Sequence, residues 1–177
     1  MRIANRPPDR RSIRLPGHDY AQGGVYFLTI CVEGRACLLG DVVDGSMRAN
    51  EAGRMVEATW HDAVARCGSI DSEAFQLMPN HVHGLVVIAG RIDSAPSTSL
   101  AAFVRRFKSM TTRLYGEMAR TDPWPAAHPP HLWQRNYYEH IVRNDRSRDR
   151  IVRYIAANPS RWAFDRENPD SNQPTDL

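Results

Sequence analysis

Met78-Pro79-Asn80-His81-Val82-His83-Gly84-Leu85-Val86-Val87-Ile88 is the stretch on which the reading of the fold turns. Pro79 and Asn80 are turn formers. They separate a short strand-like segment, Ala74 to Met78, from a β-branched run, His81 to Ile88, so the two read as antiparallel neighbours. Strand side chains alternate between faces. Val82, Val86 and Ile88 therefore point one way, where they can pack under helices. His81 and His83 point the other way, roughly 7 Å apart along the strand, and can converge on one ion. Two imidazoles are too few for a structural zinc site, so further ligands must come from elsewhere in the chain. A pair of half-exposed strand histidines would show the same spacing. Metal-hydrolase barrels also begin with such a pair, but a barrel of that kind needs about 250 residues and this chain has 177.

Working outward, Val25 to Val32 is rich in β-branched and aromatic residues and reads as a buried strand. Leu38 to Arg48, broken at Asp44-Gly45, predicts a hairpin excursion. Asn50 is placed to cap a helix from Glu51 to Ala65, with Ala52, Met55, Val56, Trp60, Ala63 and Val64 on one face. A loop over Gly90 to Ser97 precedes a long helix, Ser99 to Met118. Its predicted core stripe is Leu100, Phe103, Val104, Phe107, Met110, Leu114 and Met118, with Arg105, Arg106, Lys108, Thr112 and Arg113 mostly off it. Four prolines make Thr121 to His131 a loop. A last helix spans Arg146 to Ala157 and stops because Asn158, preceding Pro159, is pushed out of the helical region. This order predicts an α+β domain, an antiparallel sheet with helices packed on one face.

The bulk composition is that of a globular domain, 42% hydrophobic and 24% charged, with no apolar stretch of the roughly 18 residues a membrane span needs. The basic N-terminus lacks the apolar segment of a secretory signal. Cys31, Cys37 and Cys67 are too few and too scattered for a zinc cluster or a disulfide framework, which predicts buried free thiols and a reducing, cytoplasmic setting. The net charge is +3, yet Phe164 to Leu177 alone carries −3, leaving +6 on the rest. Nearly all of the positive charge is arginine, Lys108 being the only lysine. Arginine's planar fork suits phosphates and base edges, which leans towards nucleic acid.

On the last helix Tyr154 and Asn158 are one turn apart and share a face. A tyrosine with its ordinary pKa near 10 is a poor nucleophile. A nearby cation makes it useful, and an Asn carbonyl is an acceptable oxygen ligand for Mg²⁺. Spacing alone leaves a second reading open, in which Tyr154 is a core aromatic beside Ile151 and Ile155 and Asn158 is a cap.

Five blocks in order resemble the single-tyrosine HUH transposase superfamily (IS200-like), in its REP-associated tyrosine transposase branch. They are Gly24-Val25-Tyr26-Phe27-Leu28-Thr29-Ile30, Met78-Pro79-Asn80-His81-Val82-His83-Gly84, Phe107-Lys108-Ser109, Leu132-Trp133-Gln134-Arg135-Asn136-Tyr137-Tyr138-Glu139-His140 and Tyr154-Ile155-Ala156-Ala157-Asn158-Pro159. The resemblance implies a ferredoxin-like or RRM-like antiparallel sheet, with a C-terminal helix carrying the tyrosine. It implies His81 and His83 as ligands of Mg²⁺ or Mn²⁺, Asn158 as the third ligand, and Tyr154 as the nucleophile that forms a 5′-phosphotyrosine link. The implied partner is single-stranded or hairpin DNA from palindromic repeats, bound by a monomer or a homodimer.

Trp133, Tyr137 and Tyr138 are candidates to stack on unpaired bases, and Arg11, Arg14, Arg105, Arg106, Lys108, Arg135 and Arg143 to bind phosphates. The boundaries expected are a basic arm over 1–20, the transposase domain over 21–163 and an acidic tail over 164–177 with no assigned role. Three rivals remain at this level. One is a hairpin-binding protein with vestigial cleavage, and another is a small metallohydrolase that uses activated water and leaves no covalent adduct. The third, a relaxase or replication initiator of the same superfamily, fits less well because those usually carry extra domains.

Overall fold

The computed structural model describes residues 23–90, 98–121 and 131–171. Strand β1 (Gly24–Cys31) leads through a 3₁₀ turn (Glu33–Arg35) to a hairpin of β2 (Gly40–Val43) and β3 (Ser46–Ala49). Helix α1 (Glu51–Ala65), strands β4 (Ile70–Met78) and β5 (His81–Ile88), and helix α2 (Leu100–Thr121) follow. The chain then forms strand β6 (Tyr138–Val142), helix α3 (Asp145–Ala157) and a 3₁₀ segment (Pro159–Phe164). The main sheet has the order β4-β5-β1-β6, and all of its pairs are antiparallel.

Alternation along the strands makes the two faces chemically different. Tyr26, Leu28 and Ile30 of β1 and Val82, Val86 and Ile88 of β5 join Val56 and Trp60 of α1 and Phe103 and Phe107 of α2 in the principal core. Phe27, Leu85 and Val142 face the other way, where they meet Ile155 of α3 in a second, smaller cluster. The two helices α1 and α2 thus cover one face, and the tyrosine helix lies on the face that carries the histidines.

Local sequence accounts for most of the boundaries. The Asn50 side chain accepts from the Gly53 N–H at 2.9 Å, so α1 starts where the cap predicts. The β2–β3 turn places Asp44 and Gly45 at φ 51° and 70°, the left-handed pair that a two-residue hairpin requires. Met78 pairs directly with His81, so Pro79-Asn80 is the whole β4–β5 turn. Gly84 has a different reason to be glycine. A Cβ there would lie 2.5 Å from the ring of Trp60, so the position is kept bare for space rather than for backbone freedom.

Four expectations need correction. Asn158 is not pushed out of the helical region by Pro159 but keeps helical angles, φ −60° and ψ −43°, and the chain passes directly into the 3₁₀ segment. In α2 the buried positions after Phe107 are Thr111 and Tyr115, while Met110 and Leu114 are only half-buried. Leu132 and Trp133 return against this side of the helix, and the Trp133 indole N–H donates to Thr111 Oγ1 at 2.7 Å, which draws the stripe round. The short edge strand β6 was not expected. Its exposed and half-buried residues, including Glu139 and His140, give little apolar alternation. The thiols are free as expected but not fully buried, since Cys37 is exposed and Cys31 and Cys67 are half-buried. The Gly90–Ser97 loop apart from Gly90, the proline-rich loop apart from Thr121 and His131, the basic arm with Arg11 and Arg14, and the last residues of the tail lie outside the described residues. No described helix is long and apolar enough to cross a membrane.

Candidate active site and metal centre

The β5 alternation brings His81 and His83 to one point, with Nε2 atoms 3.1 Å apart and residue exposures of 0% and 2%. Each ring is held from behind. The His81 Nδ1 lies 2.8 Å from Asn80 Oδ1, and the His83 Nδ1 lies 3.0 Å from Thr29 Oγ1. Asn80 donates through its amide nitrogen to the carbonyls of Arg35 and Glu167, at 2.9 and 2.6 Å. Its oxygen is therefore turned to His81, whose proton must sit on Nδ1, leaving a bare Nε2 lone pair aimed at its neighbour.

Burial holds both imidazoles neutral. It lowers each pKa to about 3, with the positive charge of Arg166 adding to the effect at both rings. His83 is lowered further by His81, against the pull of Asp165 and the Leu28 carbonyl. Two neutral rings presenting nitrogen to each other at this distance form a site that favours a cation.

The remaining donors come from α3 and the segment after it. His81, His83 and Asp165, all buried, place one ligand atom each within 4.8 Å of one another, a group that could hold a metal ion. Asn158, 2% exposed, donates from Nδ2 to Asp165 Oδ2 at 2.9 Å. Its Oδ1 is the one buried side-chain atom among the described residues with no hydrogen-bond partner. An orphaned buried carbonyl oxygen costs free energy unless something meets it. Imidazole nitrogen with carboxylate and amide oxygen is a donor set that suits a divalent cation such as Mn²⁺ or Mg²⁺.

Tyr154 stands at the mouth of this group, 43% exposed, with its hydroxyl 3.5 Å from His83 Nε2. Phe27 sets its ring by an edge contact at 6.0 Å between centroids and also touches His83 and Tyr138. Burial raises the phenol's pKa, and the carboxylates of Asp165 and Glu167 raise it further, against Arg166 and a hydrogen bond from Asn158. Left to the protein alone, this tyrosine stays protonated at neutral pH. A cavity of about 230 Å³ opens beside it, lined by Phe27, Thr29, His83, Tyr138, Arg166 and Glu167.

Of the other described DNA-contact candidates only Tyr138 lines this cavity. Arg105 and Arg106 are exposed on α2, Arg135 is exposed before β6, and Arg143 is exposed between β6 and α3. Lys108 is tied inward, its Nζ donating to the carbonyls of Gln134 and Arg135 at 2.6 and 3.0 Å. Trp133 is 3% exposed and hydrogen-bonded to Thr111, so it is a core residue and offers no open face for a base. Tyr138 is 43% exposed in the cavity beside Tyr154, whereas Tyr137 packs against the helix-side core.

The sequence reading missed Asn80 and Thr29 as supports of the histidines, and Asp165, Arg166 and Glu167 as part of the site. Asn80 and Thr29 lay inside the quoted blocks, and hydrogen-bonding side chains placed beside paired strand histidines are the signal that could have found them. The buried Glu167 carboxylate takes Arg35 and Arg166 at 3.1 and 3.0 Å, which folds the residues after Phe164 back over the centre.

A model of the family described as "Transposase IS200 like" matches residues 53–158, from the start of α1 to Asn158. An uncharacterised protein of Haemophilus influenzae is 31% identical over 172 residues, covering 88% of this chain and 91% of its own length. Among solved structures, a REP-associated tyrosine transposase bound to a REP hairpin superposes with a TM-score of 0.60 at 19% identity. That match covers 84% of this chain and 73% of the other, and is a likeness of fold. The family match spans the histidine strand and the tyrosine helix alike, and on that ground the chain belongs to the IS200-like transposase family.

Proposed function

We propose that the protein is a metal-dependent endonuclease and strand transferase for single-stranded or hairpin DNA, with Tyr154 as its nucleophile. One observation carries the reading. The Tyr154 hydroxyl lies 3.5 Å from His83 Nε2, beside a group in which His81, His83 and Asp165 bring one ligand atom each within 4.8 Å of one another, with the Asn158 amide bonded to Asp165 and its oxygen left without a partner.

His81 and His83 would hold Mg²⁺ or Mn²⁺ through Nε2, with oxygens from Asp165 and Asn158 completing the protein's share. A bound divalent cation supplies the positive charge that favours the phenolate and offsets charge developing on a phosphate. The protein's own part is positioning. Phe27 and α3 hold the tyrosine at the cavity mouth, and Asn80 and Thr29 fix the imidazole rings. Arg166, lining the same cavity, presents a cation to an incoming phosphate. The Tyr154 Oη forms a bond to phosphorus while the bond to the 3′ oxygen breaks. The phenol proton passes to solvent through the open cavity, and the leaving oxygen takes a proton from water. The phosphotyrosine retains the bond energy needed to rejoin another 3′ end.

The solved relative with this fold was caught on a REP hairpin, which supports palindromic-repeat hairpins as the substrate class. The test is a covalent-adduct assay. Labelled hairpin oligonucleotides are incubated with Mg²⁺ or Mn²⁺ and resolved under denaturing conditions. A protein–DNA band that is lost in Tyr154→Phe and in His81→Ala/His83→Ala, and kept in Tyr138→Phe, is the expected result. An adduct lost only in Tyr138→Phe would reassign the nucleophile, and cleavage that survives Tyr154→Phe would make the protein a hydrolase. Binding without any adduct would leave a hairpin-binding protein.

A further inference from the structure

A second cavity, of about 520 Å³, lies on the helix side of the molecule, between the first turns of α2 and the segment that leads into β6. Arg105, Lys108 and Arg135 line it together with Ser99 and Tyr137, and no acidic residue among the described ones does. Arg105 and Arg135 are exposed, and neither forms an ion pair with a described residue. The wall is rigid. Lys108 clamps the carbonyls of Gln134 and Arg135, and the Gln134 N–H donates to the Cys31 carbonyl at 2.9 Å. Two guanidinium forks and an aromatic ring on a fixed wall match a nucleotide, phosphates on the arginines and base on the ring.

Its placement ties it to the catalytic cavity. Tyr137 and Tyr138 are consecutive, and strand geometry sends consecutive side chains to opposite faces. Tyr138 lines the cavity that holds His83 and Tyr154, and Tyr137 lines this one. Only β6 separates them, and β6 is the edge of the sheet. A strand leaving the catalytic cavity past Tyr138 therefore reaches the second cavity by crossing one edge.

We propose that the second cavity is a nucleotide subsite, in which an unpaired nucleotide of the bound DNA, carried over the β6 edge, seats its base on Tyr137 and its phosphates on Arg105 and Arg135. This rests on the DNA-processing reading above and is tested separately from it. Binding of labelled single strands would be measured against salt for the unmodified protein, for Arg105→Ala/Arg135→Ala, and for the charge-matched control Arg66→Ala/Arg113→Ala.

The expected result for the subsite variant is an affinity lower by about tenfold near physiological salt, with a log–log salt slope shallower by about 1.4. The control shifts by much less. A 2-aminopurine placed at successive positions should be quenched at one of them, and Tyr137→Leu should relieve the quench. An unchanged slope in the subsite variant, or an equal loss in the control, overturns the subsite. If the unmodified protein forms no adduct, the tyrosine chemistry fails while the slope and the quench still decide on the cavity.

Discussion

Replacing Gly84 by alanine tests whether the residue after the histidine pair serves the core or the site. The new Cβ would sit 2.5 Å from one atom of the Trp60 ring and 2.6 Å from the next, so the indole must move by about an ångström to reach ordinary contact. Trp60 has little room to do so. It is fully buried, stacked on Phe75 at 5.0 Å, and set edge-on to Phe103 and Phe107 at 5.2 and 5.3 Å. Its indole N–H donates to Ser72 Oγ at 3.0 Å, a bond that the shift would stretch. Overpacking costs about 1–3 kcal/mol and a strained hydrogen bond about 1 more, so a loss of about 3 kcal/mol is expected in urea denaturation.

Trp60→Phe alone should cost about 2 kcal/mol through the cavity it leaves. In the double variant the alanine methyl occupies that cavity, so the total should stay near 3 and the coupling should be about 2 kcal/mol. Metal binding gives a second readout. His83 is the neighbour of Gly84 in β5, and a displaced strand loosens its contact with Thr29, so Mn²⁺ affinity should fall in Gly84→Ala and recover in the double variant. Strict additivity, or a Gly84→Ala loss below about 1 kcal/mol, would refute the steric argument.

The remaining predictions address the centre and its surroundings. In the presence of a chelator, stability should fall on acidification from pH 7 to 5.5. His81 and His83 have folded-state pKa values depressed to about 3, so the unfolded chain takes up protons near 6.5 while the folded one does not. Stability is then fully present above the unfolded value and is lost as pH falls, by about 2.5 kcal/mol for the two rings over that interval, before carboxylates titrate. A flat urea midpoint over the same range would mean that the rings are not held neutral. Asp165→Asn should weaken Mn²⁺ binding at least about tenfold by calorimetry, and Asn158→Ala should weaken it as well; affinities unchanged by both would remove the α3 side of the site from the centre. Trp133→Phe should lower stability by about 2 kcal/mol, through the lost Thr111 bond and ring volume, and leave DNA affinity unchanged below the transition. A selective loss of DNA binding would restore Trp133 as a stacking residue.

What could be read from the sequence, and what could not, divides along a physical line. The β4–β5 turn, the Asn50 cap and the alternation of His81 and His83 against Val82 are properties of adjacent residues, so the chain displays them directly. The stripe of α2 could be read only as far as Phe107. Beyond it, burial is decided by Leu132 and Trp133 returning from some twenty residues away, and helical periodicity carries no record of them. Edge strand β6 was hidden for a related reason, since a segment paired on one side and half-exposed has weak apolar alternation to offer.

The site shows the same division most sharply. The histidine pair was legible because both residues sit on one strand with a fixed face, whereas the helical spacing of Tyr154 left a core reading open and only the resemblance singled it out. Asp165 and Glu167 sit just beyond the last helix, in a segment whose composition alone reads as a solvated acidic tail. They are buried because one accepts the Asn158 amide and the other takes Arg35 and Arg166, and no local rule predicts such pairings. Part of the negative charge of the tail, to which the sequence assigns no role, lies inside the centre, beside two neutral imidazoles and a protonated phenol. Without a cation Asp165 opposes ionisation of Tyr154; with one bound, the same carboxylate would serve as a ligand, and occupancy of the metal site would then set the reactivity of the tyrosine proposed as nucleophile.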